Sequence, residues 1–416
     1  MRYVPGMWRL WMIFACLATP AWGRDGSVTV DKARARLERQ SGRHEDRRSE
    51  TEEKFQAVCQ LRSVDPEDPK TARRIERAES ALITARAREI GCTSRLDAWE
   101  APERTVDVLY ATNRISTETE EGDWIYANRD GDGLSYGIAT VTIPARHPAG
   151  ALDKELQITA LRPLDEDAFR AAVQSALIDA GDGAELLAYV HGYNNSFPYS
   201  ARRLAQIAAD LDRPVVPILF SWPSSGGTWF AGVKYTFDEN SAARSSAPFS
   251  LVLGDLLATT DAPITLMAHS MGSRVVADAL IDLERRRELV RPMADLVLAA
   301  PDIDVSVFAH RYLETTLAAA HRLTVYCAAD DRALFLSRSV HGGYDRLGSC
   351  SDAATELLDR PEVEVVDASK LWVNLVDHDK VASSPRLLAD LRQLVDGVPA
   401  GSRGLMAEKD RYVLPP

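Results

Sequence analysis

Five cysteines in 416 residues, with no C-x-x-C pair and no cysteine/histidine cluster, give no zinc-site spacing to read. The chain also lacks a Walker A loop and a G-x-G-x-x-G fingerprint, so the phosphate and dinucleotide cradles those loops build are not indicated. Positive charge is in short supply: 49 Lys and Arg against 61 Asp and Glu give a formal net charge of -12. That balance argues against nucleic acid as a partner and says nothing positive about a substrate. No internal repeat marks a solenoid.

The apolar stretch from Leu10 to Leu17 is too short to span a bilayer comfortably. It follows Arg2 and Arg9 and is followed by Ala21-Trp22-Gly23, the arrangement of a secretory signal peptide over residues 1–23. The expectation is export to a periplasmic or extracellular compartment, with an uncleaved anchor as the alternative. Cys16 lies in a poor context for lipid attachment. Removal of residues 1–23 leaves Cys59, Cys92, Cys327 and Cys350. An even number in an exported chain suggests two disulfides, and proximity favours Cys59–Cys92 and Cys327–Cys350.

The rest of the chain has two textures. Residues 24–104 are rich in Arg, Glu and Ala, with helical spacing over Val30–Leu61 and Ala72–Ile90 and a proline-containing break at 63–69. This reads as a hairpin-like helical appendage with solvated charged faces. From Thr105 to residue 396, short apolar runs alternate with helical patterns. Strands are expected at 106–111, 138–143, 156–161, 186–190, 215–220, 264–268, 296–299, 323–327 and 363–366. Helices are expected at 165–180, 199–211, 238–259, 271–286, 305–320 and 384–395. Strands alternating with helices, the later strands being continuous apolar runs, imply an α/β fold whose mostly parallel central sheet is flanked by helices; the first strands lack intervening helices and should pair antiparallel. Residues 397–416 read as a loose tail. Residues 128–133 (NRDGDG) begin like a calcium loop, but Ala139 occupies the place of the bidentate Glu, so a tight turn is expected.

The segment PITLMAHSMGSRVV (263–276) joins a buried strand to a helix through a serine set between small residues. A nucleophilic serine on a sharp strand-to-helix turn needs small residues two places before and after it; Gly272 fits, and Ala268 stands where glycine is commoner. A serine hydroxyl also needs a base to take its proton and an acid to orient the base, both from loops after later strands. Asp331 is the favoured acid, with Asp330, Asp302 and Asp304 also placed after strands, any of them able to serve as a helix cap instead. His378, after the last strand, is the favoured base, and His341 reads as a surface or structural histidine. An oxyanion needs two amide donors. The Met271 amide opens the helix after Ser270, and Gly192, directly after the strand ending at Val190, allows a turn that faces the Tyr193 amide inward.

With ATNR (111–114), VHGYNNSF (190–197), FSWPSSG (220–226), AHSMGSRVV (268–276), APDID (300–304), DRAL (331–334) and ASSP (382–385) in this order, the chain resembles the α/β-hydrolase superfamily. More narrowly it is similar to a bacterial esterase/lipase-like family of largely uncharacterised function. The resemblance covers about residues 105–390 and implies an α/β-hydrolase fold, with Ser270 as nucleophile, Asp331 as acid and His378 as base. The expected activity is hydrolysis of a small-molecule or lipid ester through an acyl-serine intermediate, with no metal or organic cofactor. Residues 24–104 lie outside the resemblance. The alternative is a non-catalytic binding or envelope-scaffold protein on a hydrolase fold that uses the helical appendage for envelope or protein contact.

Overall fold

In the computed structural model, the described residues are 103–415 without 119–123, 146, 153–155, 225–230 and 372–379, together with a few helical residues between Asp46 and Ala57. The chain divides into two compact units, Met1–Ala101 and Pro102–Pro416. In the first unit the described residues are helical, with Lys54 2.5 Å from Glu50 one turn earlier. The signal peptide, Cys16 and the Cys59–Cys92 pairing lie outside the described residues.

Among the described residues, the second unit is built on a sheet of 11 strands. β1 (Arg104–Glu118), β2 (Trp124–Ile143) and β3 (Gln157–Leu164) form an antiparallel meander. β1 then pairs in parallel with β5 (Val215–Ser221), which begins the run through β4 (Glu185–Val190), β6 (Ile264–His269), β7 (Met293–Ala299), β8 (Ala320–Cys327) and β9 (Val363–Asp367). Every residue of β4 and β6 is buried. A parallel strand covered on both faces has no solvent side to make polar, which is why these segments read as continuous apolar runs.

Two apolar layers cover the sheet. On one face lie α1 (Glu166–Ala180), α3 (Ala231–Thr259), α4 (Gly272–Arg286) and the helical segment α5 (305–318), through side chains such as Phe169, Leu253, Leu280 and Phe308. On the other lie α2 (Phe197–Leu211) and, after α6 (Arg332–Val340), α7 (Asp352–Leu357) and the short α8 (Lys380–Ser383), the last helix α9 (Pro385–Val395), through Leu204, Ile207, Leu387 and Leu391. Helix ends are set by local chemistry: Asp165, Ser196 and Ser384 cap α1, α2 and α9 with side-chain oxygens. The ASSP segment is therefore a helix start.

Two expectations change. Residues 397–415 are not a loose tail: β10 (Met406–Ala407) and β11 (Tyr412–Val413) fold back, and β11 pairs in parallel with β9. Val413 and Leu414 are buried there, and strands of two residues are too short to show a period. Residues 128–133 form no turn. They lie inside β2, which pairs with β1 through register shifts on either side of Arg114; bulged pairing tolerates the glycines that suggested a turn. The disulfide Cys327–Cys350 is present, with Cα atoms 5.2 Å apart.

Candidate active site

Ser270 sits where β6 gives way to α4, with φ 52, in the left-handed region that side-chain-bearing residues rarely enter. Both its backbone groups are held. Its N–H donates to the Ala299 carbonyl (2.8 Å), and its carbonyl accepts from Ser273 (3.0 Å) and Asp302 (3.3 Å). A Cβ on Gly272 would lie 2.4 Å from the His191 carbonyl oxygen and 2.7 Å from that of Val190, so only glycine lets the elbow pack against β4. α4 has no side-chain cap, and its first turn presents the Met271 amide, which donates to no other described residue.

The loop after β4 packs directly on the nucleophile. A Cβ on Gly192 would come within 3.0 Å of Ser270 Cβ and 2.8 Å of His269 Nδ1. Asn194 takes φ 61, turning the chain sharply. Its N–H donates to Asp238 (3.1 Å), and the Asn195 N–H donates to Ser224 Oγ (3.2 Å), whose hydroxyl in turn donates to Asp238 (2.5 Å). The Tyr193 amide, between Gly192 and Asn194, donates to no other described residue. Tyr193 and Met271 thus stand on the two segments that meet at Ser270.

Asp331 is buried at the start of α6, beyond the carboxyl end of β8, and its Oδ1 accepts from the amides of Ala333 (2.9 Å) and Leu334 (3.1 Å). These bonds fix the carboxylate's orientation. Asp330 beside it is exposed. Asp302 is consumed elsewhere: its carboxylate accepts from Tyr235 and from Ser337 (2.7 Å) and lies 3.5 Å from Arg346 Nε, while its carbonyl accepts from Arg274 (2.6 Å). Asp304 caps α5 through the amides of Ser306 and Val307. The APDID segment therefore braces the elbow.

His341 is bound on both ring nitrogens, Nδ1 to the Ser337 carbonyl (2.8 Å) and Nε2 to Glu239 (2.9 Å). Burial works against the charge of Glu239, but Arg274 and His341 outweigh it and hold the carboxyl below its usual range. These groups line a cavity of about 540 Å³ with Ile303 and Tyr312. His378 lies outside the described residues. The parallel order nonetheless carries the chain from Ser270 after β6, past β7, to Asp331 after β8 and to the segment containing His378 after β9.

Residues 165–396, more than half of the chain, match the family model of alpha/beta hydrolases of unknown function, DUF900. The chain belongs to that family. No curated protein matches it. For this DUF900 hydrolase the matched span includes the elbow, the 190–197 loop, Asp331 and His378, and begins after ATNR.

ATNR and the first five residues of FSWPSSG, read in the sequence only as motifs, converge beneath the 190–197 loop of the hydrolase. Thr112 Oγ1 donates to the Ser221 carbonyl (2.5 Å), Arg114 Nε to Ser221 Oγ (2.9 Å) and Trp222 Nε1 to the His191 carbonyl (2.7 Å). Arg114, Trp222, Ser224 and Asp238 carried no assigned role in the sequence; the available signal was a charged residue soon after the apolar run 106–111. A cavity of about 810 Å³, lined by Thr105, Val106, Val215 and Pro217, lies at the amino ends of β1 and β5, the opposite end of the sheet from Ser270, and takes no part in the site.

Proposed function

We propose that the chain is an exported serine hydrolase that cleaves an ester or related acyl bond through an acyl-serine intermediate. The observation that carries this reading is the strained, doubly clamped Ser270 with Gly192 packed on its Cβ. Strain of this kind persists only where the surroundings enforce it, and it lifts a hydroxyl out of the strand-to-helix path. In this mechanism Ser270 attacks the acyl carbon while His378 takes its proton, and Asp331 orients the imidazole. The Tyr193 and Met271 amides hold the oxyanion, and His378 returns the proton to the leaving alcohol. Water then attacks the acyl-serine by the same route. The Cys327–Cys350 bridge supports export, since disulfides persist in oxidising compartments.

A fluorophosphonate probe tests the reading. The wild-type chain should be labelled and Ser270→Ala should not. His378→Ala should lose labelling and hydrolysis of p-nitrophenyl esters of graded chain length, whereas His341→Ala should keep both. An unlabelled, folded wild-type chain would refute the mechanism in favour of the envelope-scaffold alternative.

A further inference from the structure

The groups around the Gly192–Tyr193 peptide can be accounted for one at a time. Arg114 is 1% exposed and uses its guanidinium entirely inside the protein. Nε donates to Ser221 Oγ (2.9 Å), Nη1 to Asn128 Oδ1 (2.6 Å) and Nη2 to the Asn195 carbonyl (2.8 Å), with Nη2 also 3.3 Å from His191 Nε2. Among the described residues no carboxylate forms an ion pair with it. Burial pulls its pKa down to about 9, partly offset by the Asp238 charge, so it remains a cation at neutral pH. Arg114 lies between two register shifts of the β1–β2 pairing.

A guanidinium has donors and no acceptor. His191 Nε2 must therefore accept from it, and the Ser221 hydroxyl, which accepts from Arg114 Nε, lies 3.3 Å from the same nitrogen. The ring proton is left on Nδ1, which lies 2.9 Å from the Gly192 carbonyl oxygen. Full burial and the neighbouring Arg114 charge push the imidazole well below its usual range, so it stays neutral. Stacking on Trp222, with centroids 5.1 Å apart, fixes the ring plane. In a planar trans peptide the carbonyl and the following N–H point in opposite directions. Tying the Gly192 carbonyl down to His191 thus turns the Tyr193 N–H away from the buried network, on the loop whose Gly192 abuts Ser270.

We infer that Arg114 and His191 form a relay that sets the polarity of the oxyanion loop: Arg114 selects the Nδ1–H tautomer of His191, and that proton holds the Gly192–Tyr193 peptide with its N–H directed to the nucleophile. Both are positioning residues, and neither meets the reacting atoms. The inference rests on the reading of Ser270 as nucleophile, but its first half, the tautomer, can be measured without any activity.

Nitrogen-15 NMR of the wild-type protein labelled at histidine provides that measurement, with His191 identified by the signals lost in His191→Asn. A protonated Nδ1 and an unprotonated Nε2, unchanged between about pH 5 and 8 as expected for a neutral buried ring, is the expected result. An Nε2–H or doubly protonated ring would overturn the relay. Kinetics on p-nitrophenyl butyrate test the second half. His191→Asn keeps a donor near the Nδ1 position and should hold kcat within about tenfold, whereas His191→Gln places its amide at the far end and should lower kcat by about 100-fold at little-changed KM. Equal, wild-type kcat in both variants would refute the control of the peptide. A wild type that shows the expected tautomer but resists fluorophosphonate would instead sink the serine-hydrolase reading and leave the Arg114–His191 pairing standing.

Discussion

Replacing Ser270 with glycine should make the protein inactive and, at the same time, more stable than replacing it with alanine. The residue has φ 52, and a Cβ in that region costs about 1–2 kcal/mol. Alanine keeps the Cβ and hence the strain; glycine removes it but gives back roughly 0.5–1 kcal/mol through the greater freedom of the unfolded chain. The net difference is about 1 kcal/mol in favour of Ser270→Gly. For a folded unit as large as Pro102–Pro416, that corresponds to a melting temperature about 2 °C higher than that of Ser270→Ala. Both variants lose the hydroxyl, so their difference isolates the backbone. Differential scanning calorimetry of the two side by side, with circular dichroism to confirm equal folding, reads it directly. If Ser270→Gly melts at or below Ser270→Ala, the elbow is not strained and the central support for a nucleophile there is gone.

Gly192→Ala should lower kcat on a p-nitrophenyl ester about 100-fold with a smaller change in KM, because the added methyl, 3.0 Å from Ser270 Cβ, pushes the oxyanion loop off the nucleophile; unchanged kcat would show that the loop is not part of the site. Reduction of Cys327–Cys350 opens a loop with a sequence separation of 23 and should cost about 3 kcal/mol, seen as a lower melting temperature in dithiothreitol; no shift in a fully reduced sample would contradict this. Glu185 is buried 3.6 Å from Arg213, and burial outweighs that pair, raising its carboxyl to about 7. The folded state therefore binds the proton more tightly than the unfolded one, and the Glu185 contribution to stability should fall as pH rises from about 4.5 to about 7. Glu185→Gln should flatten that part of the stability profile, and an identical slope in both proteins would rule the group out.

The sequence carried the parallel half of the sheet because burial on both faces leaves a local trace: the all-buried β4 and β6 are runs of apolar residues that can be read without neighbours. The elbow was legible because its strand-turn-helix pattern with small residues around Ser270 is local, although the contact that demands Gly272, with Val190 and His191, is not. What supports the loop over Ser270 was not. Arg114 meets Ser221 at a separation of 107 residues, Asn195 at 81 and His191 at 77, and no local pattern encodes contacts of that range. Asp238 carried no assigned role in the sequence; it takes one only where it accepts from Ser224 and the Asn194 amide. Asp331 was favoured among the aspartates after strands, and their neighbours differ in a way no local pattern shows: Asp302 meets Tyr235, Ser337 and Arg346 where Asp331 meets two helix amides.

The return of Tyr412–Val413 to the rim of the sheet has a consequence for how the protein can be made and handled. β9 would otherwise present a row of unpaired amides and carbonyls along its outer side, a template for joining other chains. The end of that row, at Val366 and Asp367, is covered only once residues some 45 positions further on have been synthesised, so a nascent chain carries a sticky flank until then. Proteolysis near Gly404 would leave the flank open, and the damage should appear as aggregation instead of a gradual loss of stability.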